Sequence, residues 1–332
     1  MKNAEFVTSS GTGQKMAPGL ERDGNNEDWM NTLPEELWDL PLTNLALPGS
    51  HDAMSYCLDL TSPLLRSESD SFRLLDRVFY CVTRPIIYKW ATTQVIDIVE
   101  QLQAGVRYFD LRIARKQNDT SHDLYFTHVI YTHVTVVDTL NTVAAWLSAH
   151  PKEIVILACS HFEGLSEKLH EELIYSLKKI FGSKLCPSDA DITLRGLWSS
   201  GYQVVLSYED QTAVCHEELW PEIPYWWANT ADAGELIQYL ESQKHLGRPE
   251  GFFVAGLNFT ADRCFIASNP HLSLRTLTTD QWECVRRWVE DQKPGADPTS
   301  LNIIAGDFIG SIPLCSIIIA LNKTQRPLKV DV

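Results

Sequence analysis

The sequence predicts an α/β fold in which one parallel sheet closes into a single (β/α)8 barrel. After Trp29, short β-branched and aliphatic runs alternate with segments of helical period, which is typical of parallel α/β folds. Eight strand candidates can be counted, and most are joined through a predicted helix. The span 29–325 suits such a barrel, which typically needs about 250 residues. We find no internal repeat or linker, so a single domain is expected.

The strand candidates are short apolar runs, and several end in a polar or ionisable residue. They lie at 44–48, 107–113, 124–129, 154–160, 203–208, 223–227, 251–258 and 302–308. The run at 223–227 is the weakest of them. A long connection, 56–91, follows the first candidate, and we expect it to decorate the face of the barrel at which that strand ends.

Five helix candidates show apolar residues at helical spacing. They span 94–104, 136–149, 166–181, 232–245 and 279–292. Gly105 suits the end of the first helix. Ser166 and Asp232 suit the starts of the third and fourth, and the fifth ends before Pro294.

The two ends of the chain are expected to lie outside the barrel. Residues 1–27 are rich in Gly, Ser and Asn and predict a disordered N-terminal tail. The domain is expected at 28–325, followed by a short tail at 326–332. The first residues lack the apolar segment of a signal peptide, and the apolar run at 314–321 is shorter than the roughly 20 residues of a membrane span. We therefore expect no transmembrane segment and a cytoplasmic location.

The charge and the cysteines narrow the class of protein. A formal net charge of −15 argues against nucleic acid as a partner, because phosphate binding needs a basic surface. It also argues against simple electrostatic adsorption to anionic lipid. The 8 cysteines include no CxxC pair, so we expect free thiols in a reducing compartment.

Four predicted strands end in polar or ionisable groups. These are His51 and Asp52 after the first strand, Asp110 and Arg112 on the second, His128 at the end of the third, and Asp307 at the end of the last. Side chains alternate along a strand, so Asp110 and Arg112 face the same way. A closed barrel brings its last strand against its first, which predicts that Asp307 neighbours His51. We therefore expect all these side chains in one pocket at the carboxyl edge of the sheet.

Two histidines beside an arginine are sufficient to cleave a phosphodiester by internal attack. One imidazole removes a proton from a nearby hydroxyl and the other protonates the leaving oxygen, each contributing about 10²–10⁴-fold in rate. The guanidinium grips the phosphoryl oxygens and neutralises the developing charge. A carboxylate beside each imidazole fixes its tautomer. We expect Asp307 to serve His51 and Asp52 to serve His128.

Each of these residues also has a purely structural interpretation. A histidine at a strand end often only makes a hydrogen bond, Arg112 could pair with Asp110 as a buried ion pair, and Asp307 could be a turn residue. Their joint occurrence at strand ends favours a functional site, because independent coincidence at one face is improbable. His133 and His161 compete with His128 as the acid.

Several segments resemble, in this order, the X domain of phosphatidylinositol-specific phospholipase C. They are PGSHD at 48–52, QLQAGVRYFDLR at 101–112, FTH at 126–128, PKEIVIL at 151–157, FEGLS at 162–166, PYWW at 224–227, FVAGLN at 253–258 and NIIAGDFIG at 302–310. The resemblance covers roughly 25–325, with an X-box core at about 29–210, and extends to the short vertebrate proteins that contain only this domain. It implies a distorted TIM barrel.

The resemblance also implies a role for each residue. His51 would take the proton of the inositol 2-hydroxyl, with Asp307 as its partner. His128 would protonate the diacylglycerol oxygen, with Asp52 behind it, and Asp110 would support Arg112. The implied substrate is phosphatidylinositol, and the implied product is a cyclic inositol phosphate that water can later open.

The same comparison predicts that no metal or other cofactor is needed. Calcium-dependent members of the family carry a carboxylate where Arg112 stands, an Asn in place of Asp52 and a further acidic ligand near Ser160. A calcium ion takes about 6–8 oxygen ligands, and two of the carboxylates that would supply them are missing here. As in the bacterial members, Arg112 would do the work of the metal.

Contacts to the sugar differ from those of the bacterial members, which bring a basic residue from strand five to the inositol. Here Tyr208 or Glu209 would face the sugar, and His161 and Trp227 are further candidates for substrate contact. Since these groups offer no clear grip on additional phosphates, we expect plain phosphatidylinositol to be preferred over its polyphosphorylated forms.

An aromatic and aliphatic run at 79–90 lies in the connection after strand one. Phe79, Ile86, Ile87 and Trp90 would suit peripheral contact with a membrane that contains phosphatidylinositol. The alternative is that these side chains only cover the helical shell of the barrel.

Two other functions compete with an active phosphatidylinositol phosphodiesterase. One is a catalytically weak X-domain protein that binds inositol lipid or a protein partner. The other is a different barrel phosphodiesterase, such as a glycerophosphodiesterase, which uses a histidine pair together with a metal. The intact set of His51, Arg112, His128 and Asp307 favours the first reading.

Overall fold

The structure is a computed structural model that describes residues 23–117 and 119–323. Residues 1–22 of the predicted N-terminal tail at 1–27, and the whole predicted C-terminal tail at 326–332, therefore lie outside the described residues. Residues 23–27 are described and contact the domain. Asn26 Nδ2 donates to Ala104 O at 2.9 Å, and Ser316 N donates to Asp23 Oδ1 at 2.8 Å.

Strands and helices alternate through most of the described chain. The strands are β1 (Leu47–Ser50), β2 (Tyr108–Arg115), β3 (Leu124–His128), β4 (Ile130–Thr135), β5 (Val155–Glu163), β6 (Val204–Tyr208), β7 (Leu219–Trp220), β8 (Tyr225–Trp226), β9 (Val254–Gly256) and β10 (Ile303–Gly306). The helices are α1 (Asp70–Val78), α2 (Tyr80–Ala91), α3 (Ile98–Ala104), α4 (Val136–Ala149), α5 (Glu167–Phe181), α6 (Leu194–Ser200), α7 (Ala233–Leu246), α8 (Arg263–Ser268), α9 (Leu274–Glu290) and α10 (Leu314–Asn322).

The predicted α/β fold class is confirmed. A curled parallel sheet runs in the order β7-β6-β5-β2-β1-β10-β9-β8, with the last strand β10 beside the first strand β1. Within 23–117 and 119–323 no strand pairing joins β7 to β8, so the barrel is distorted and open at that point. Both strands are only two residues long, and Pro221 and Pro224 between them cannot donate to a ladder.

The prediction that every strand is parallel was wrong for the third one. The segment 124–135 forms an antiparallel hairpin, in which β3 pairs with the end of β2 and with β4. A parallel crossover needs a dozen or more residues, whereas only 116–123 separate β2 from β3. Chain length was therefore the signal against a parallel strand.

The helix predictions hold best where the caps are strong. Helix α4 matches its predicted span, and α5 and α7 lie within one residue of theirs. Helix α3 begins at Ile98 rather than at 94, because Asp97 and Glu100 form a capping box. Helix α9 begins earlier than predicted, at Leu274, where the Ser273 side chain accepts a hydrogen bond from Thr276 N.

The amino end of the sheet is closed by a buried ion pair. Arg107 and Glu153 are fully buried, and Arg107 Nε donates to Glu153 Oε2 at 3.0 Å. The same guanidinium donates to the carbonyls of Leu102 and Val106 and, at 2.7 Å, to that of Glu27. An ion pair and main-chain hydrogen bonds therefore fill this end of the barrel, and the cavity lies at the opposite end.

The long connection after β1 contains helices α1 and α2, which pack beside the carboxyl end of the sheet. The buried guanidinium of Arg84 donates to Asp76 Oδ1 at 2.9 Å and to Ser62 O at 2.6 Å, so it ties both helices to the preceding loop. In the described part of the chain, no helix has the length and apolar character needed to cross a bilayer.

Candidate active site

The pairing of the first and last strands brings His51 and Asp307 together. In the β1–β10 register Ser50 lies opposite Gly306, so the residues that follow leave the sheet side by side. His51 Nδ1 lies 2.8 Å from Asp307 Oδ1, and both side chains are buried. The predicted neighbourhood of these two residues is confirmed.

The other nitrogen of His51 faces the cavity. Because the carboxylate of Asp307 accepts the Nδ1 proton, Nε2 is the basic nitrogen of the neutral ring. Arg112 Nη2 lies 3.0 Å from Nε2, and Asp52 Oδ2 lies 3.2 Å from it. Burial opposes the charged imidazole, but the Asp52 and Asp307 carboxylates outweigh it and raise the pKa of His51 above its ordinary value.

Arg112 lies between two carboxylates on the floor of the pocket. Its Nε is 2.9 Å from Asp52 Oδ1, and its Nη2 is 3.1 Å from Asp110 Oδ2. Asp110 and Arg112 face the same way along β2, as predicted. Burial disfavours charge on both groups, but their mutual attraction prevails: the pKa of Arg112 is raised and that of Asp110 is lowered.

His128 reaches the same pocket from the end of β3. Its Nδ1 donates to Ala91 O, the carbonyl of the last residue of α2, at 2.6 Å, which leaves Nε2 for chemistry. Nε2 lies 3.4 Å from Asp52 Oδ2, and the two imidazole centroids are 6.2 Å apart. Asp52 was predicted to serve His128, and it also contacts His51 and Arg112.

Gln94 and Thr93 support the site and were not identified from the sequence. The fully buried Gln94 donates from Nε2 to His51 O at 2.9 Å and to Gly306 O at 3.0 Å. Its Oε1 accepts from Ile309 N at 3.0 Å. Thr93 Oγ1 donates to His51 O at 3.1 Å. A single amide therefore joins the exits of β1 and β10.

Backbone strain is concentrated at the strand exits. Asp52, Val129, His161 and Phe308 have positive φ values between 41° and 67°, and each is a site residue or directly follows one. Such conformations cost about 1–3 kcal/mol each and persist only where the surroundings enforce them. Val129 is the most unusual, because β-branched residues avoid this region.

The carboxylates of the pocket do not fit a divalent cation. Ligand atoms of His51, Asp52 and Asp110 lie within 4.8 Å of one another, which alone would suggest a metal site. However, the guanidinium of Arg112 pairs with one oxygen of each carboxylate. A calcium ion there would have to displace this cation, and it would then find fewer oxygens than the roughly 6–8 that it takes.

His51, Asp110, Arg112 and His128 form the floor of a cavity of about 1100 Å³. Three of the predicted substrate contacts, His161, Glu209 and Trp227, line its wall. Glu209 Oε2 accepts a hydrogen bond from His161 N. The Nε1 of the half-exposed Trp227 donates to Thr260 Oγ1 at 2.9 Å.

Tyr208 was predicted as a sugar contact, and that prediction was wrong. It is buried outside the cavity, where its hydroxyl lies 2.8 Å from His170 Nδ1. Since side chains alternate along β6, it is Ser207 that lines the cavity. The sequence also missed Tyr225 as a wall residue, whose ring centroid lies 6.3 Å from that of His51 and whose hydroxyl donates to Asn258 Oδ1.

Fold and site together define an α/β-barrel protein with an acid–base site built from two histidines, one arginine and three aspartates at the carboxyl end of its sheet. Comparison with known proteins narrows the class. A model of the phosphatidylinositol-specific phospholipase C X domain matches residues 85–210. Human PI-PLC X domain-containing protein 1 is 49% identical, over 90% of this chain and 93% of its own length. Human PI-PLC X domain-containing protein 3 is 37% identical, over 90% and 95%.

The chain therefore belongs to the PI-PLC X domain-containing family. A solved structure, the phosphatidylinositol-specific phospholipase C of Listeria monocytogenes, is similar with a TM-score of 0.64 at 18% identity, covering 90% of this chain and 99% of that one. At that identity the likeness concerns the fold, and it confirms the distorted barrel. The matched X-domain segment lies inside the predicted core at 29–210, whereas His51 and Asp307 lie outside the match.

Proposed function

We propose that the protein is a phosphoric diester hydrolase that cleaves phosphatidylinositol to diacylglycerol and a cyclic inositol phosphate without a metal ion. The observation that carries this proposal is the position of Arg112, whose guanidinium lies against His51 and between Asp52 and Asp110. Both imidazoles direct a nitrogen toward the same cavity. The names of the curated relatives point to the same class of lipid.

The proposed reaction is an internal displacement at phosphorus. His51 Nε2 takes the proton of the inositol 2-hydroxyl, and the 2-oxygen forms a bond to phosphorus. The bond from phosphorus to the glycerol oxygen breaks, and that oxygen receives a proton from His128 Nε2. The Asp52 carboxylate lies 3.4 Å from that nitrogen. Water can open the cyclic product with the two histidines in exchanged roles.

Arg112 supplies the charge that a metal provides in other phosphodiesterases. Its planar guanidinium can donate to two phosphoryl oxygens at once, and Asp52 and Asp110 fix its orientation. Because the cation is part of the chain, activity should persist in chelator. This arrangement also disfavours a metal-dependent glycerophosphodiesterase, which would need those carboxylates free.

The wall of the cavity supports a preference for plain phosphatidylinositol. Glu209 lies at the end of β6, and Glu222 follows β7 on the same wall. Carboxylates at these positions would repel additional phosphates on the inositol ring. We therefore propose slower turnover of the bisphosphate, and comparable turnover of the two lipids would contradict this.

Membrane contact is proposed through the exposed apolar faces of α1 and α2. Phe79 is 56% exposed and Ile86 is 43% exposed, as suits an interfacial surface. Ile87, predicted for the same role, is instead buried against Leu58 and Ile130. Trp90 is half-buried beside Phe265. The membrane-facing set therefore excludes Ile87. We also propose that the protein is cytoplasmic and contacts the membrane transiently.

Vesicle binding tests this surface. Replacing Phe79 and Val82 together by Ser should weaken binding to phosphatidylinositol vesicles, because Phe79, between α1 and α2, is 56% exposed and Val82, on α2, is 62% exposed. Tyr175→Ser is the matched control, since Tyr175 is 70% exposed on α5. Equal vesicle binding by both variants would refute the assignment.

The decisive experiment uses purified protein and phosphatidylinositol vesicles in excess EGTA. We expect cyclic inositol phosphate, and a loss of about 10²–10⁴-fold in His51→Gln and in His128→Gln. His133→Gln is the matched control, because His133 is exposed on β4 and 4.0 Å from Asp59 Oδ1. Activity that vanishes in EGTA and returns with calcium would refute metal independence. A wild type that binds the lipid without cleaving it would favour the catalytically weak binding protein.

A further inference from the structure

The cavity has two halves of different chemistry. The half at the strand ends is polar and holds His51, Arg112 and His128. The other half lies between α2 on one side and the α8–α9 region on the other. Its wall is mainly apolar and includes Ile86, Ile87, Trp90, Phe259, Ile266 and Leu274, while Glu68, Lys89 and Arg263 also line the cavity. We call this second half the apolar chamber.

The polar half alone accounts for the headgroup of the proposed substrate. Ligand sites for drug-sized molecules usually occupy about 300–1000 Å³, and this cavity reaches about 1100 Å³. An inositol phosphate at the strand ends would leave the apolar chamber filled with water. Water is poorly accommodated by such a wall, whereas an alkyl chain would be favoured there.

The geometry of His128 gives the chamber a direction relative to the bond that is cleaved. His128 Nδ1 is bound to Ala91 O at the end of α2, and Ile87 and Trp90 on that helix line the chamber. The proposed leaving oxygen, which His128 protonates, therefore lies at the α2 side of the site. The diacylglycerol part of the lipid is the part that faces the chamber.

A hydrogen bond and a cation–π contact join α1 and α8 beside the chamber. Arg263 Nη2 donates to Ser69 Oγ, the N-cap of α1, at 3.2 Å. The same guanidinium lies 5.3 Å from the ring centroid of Phe72. Helices from distant parts of the chain are thus joined beside the chamber, and Phe72 and Arg263 both line the cavity, so an acyl chain inside would contact protein on both sides.

We propose that the apolar chamber binds one acyl chain of the lipid whose phosphodiester lies at His51 and Arg112. This inference rests on the proposed function, since it takes the leaving group to be a diacylglycerol. The protein would then recognise its substrate at both ends, and lipids with short acyl chains would bind more weakly even when they are monomeric.

Binding of monomeric short-chain phosphatidylinositols tests the chamber without requiring turnover. Calorimetry would compare the dibutanoyl and dioctanoyl lipids, both below their critical micelle concentrations, on wild type and on His51→Gln, which prevents cleavage. We expect the dioctanoyl lipid to bind at least about tenfold more tightly, because each buried CH₂ contributes about fourfold. Equal affinities would overturn the proposal.

A variant that fills the chamber separates it from the membrane surface. Ala267 lines the cavity from α8, so Ala267→Trp should remove the advantage of the dioctanoyl lipid and leave dibutanoyl binding unchanged. Ala145→Trp, on the exposed face of α4, is the matched control and should behave as wild type. If Ala267→Trp keeps the full advantage of the longer chain, the chamber does not hold it.

A separate assay tests the proposed reaction independently of the apolar chamber. Hydrolysis of cyclic inositol phosphate, which has no acyl chain, uses the same two histidines and Arg112. If this substrate is turned over while affinity is independent of chain length, the chamber is refuted and the proposed function stands. If affinity depends on chain length but no inositol phosphodiester is cleaved, the chamber stands and the phosphodiesterase is refuted.

Discussion

Two arginines, one just before β2 and one within it, show how the ends of this barrel differ. Arg107 immediately precedes β2 and Arg112 lies within it, five positions along the chain. Arg107 is completely buried, and its donors reach Glu153 and several main-chain carbonyls. Arg112 keeps 23% of its side chain exposed, on the wall of the cavity.

The surroundings have opposite effects on the two guanidinium groups. At Arg107 burial prevails over the attraction of Glu153, and the pKa of this arginine is lowered. At Arg112 the carboxylates of Asp110 and Asp52 prevail over burial, and the pKa is raised. Arg107 joins separate segments of the chain. Arg112 lies between two carboxylates, those of Asp52 and Asp110, at the wall of the cavity. We infer that the amino end of the sheet, at Arg107, serves stability and that the carboxyl end, at Arg112, serves chemistry.

The largest expected effect is a loss of stability from a substitution at Arg107, at the amino end of the sheet. Arg107→Met should reduce the free energy of unfolding by about 3–5 kcal/mol, because it leaves the Glu153 charge buried without its partner. Denaturant unfolding measures this. Adding Glu153→Leu should recover much of the loss. Arg195→Met, at an exposed ion pair with Asp39, should cost under about 1 kcal/mol. An Arg107→Met protein as stable as wild type would remove the distinction between the two ends.

The next largest effect is a fall in kcat from a substitution at Arg112, at the carboxyl end of the sheet. Arg112→Lys should lower kcat for phosphatidylinositol by about 10²–10³-fold, because an ammonium is a point charge that cannot span two carboxylates and a phosphate. The midpoint of thermal unfolding should change little. A large loss of stability with unchanged kcat would mean that Arg112 resembles Arg107 after all.

Gln94 should show a mixture of both behaviours. Gln94→Leu leaves the main-chain groups of His51, Gly306 and Ile309 without their partner. We expect a loss of about 1–3 kcal/mol in unfolding free energy. We also expect a fall in kcat, since the exits of β1 and β10 are no longer joined. Gln94→Glu keeps the acceptor and loses the donor, so a purely structural role would predict that kcat follows stability in both variants.

The smallest effect is a shift in pH dependence. His51 must be neutral to act as the base, and its raised pKa places the acid limb of the kcat/KM profile above the ordinary value of about 6.5. Asp307→Asn removes one of the carboxylates responsible, so the limb should move to lower pH. Asp138→Asn on α4 should leave the profile where it is. A limb that stays in place, or moves upward, in Asp307→Asn would contradict the assignment of His51 as base.

Much of the fold and of the site could be predicted from strand patterns. Apolar runs with polar ends located the parallel strands, and the alternation of side chains placed Asp110 and Arg112 on one face. The closure of the sheet predicted the neighbourhood of His51 and Asp307. These features follow from the alternation of side chains along each strand and from the pairing of the last strand with the first in the curled sheet.

What escaped prediction depends on long-range contacts that leave no local pattern. Gln94 looks like an ordinary polar residue before a helix, and its role exists only because two strand exits meet around it. Alternation puts Ser207 and Tyr208 on opposite faces of β6, but which of them faces the cavity was known only once the pairing of β6 with its neighbours was known. Ile87 lies in an apolar run in which every residue looked equally able to face outward, but packing against Leu58 buries it.

The pairing of the first strand with the last has a consequence for biosynthesis. His51 and Asp307 are 256 positions apart, and β10, which Asp307 directly follows, is the last of the described strands to be synthesised. Until then the growing polypeptide has neither the His51–Asp307 contact nor the Gln94 link to Ile309. A partly synthesised chain therefore lacks the hydrogen bonds that orient His51 and join the exits of β1 and β10, and the proposed base is assembled only when these two strands have paired.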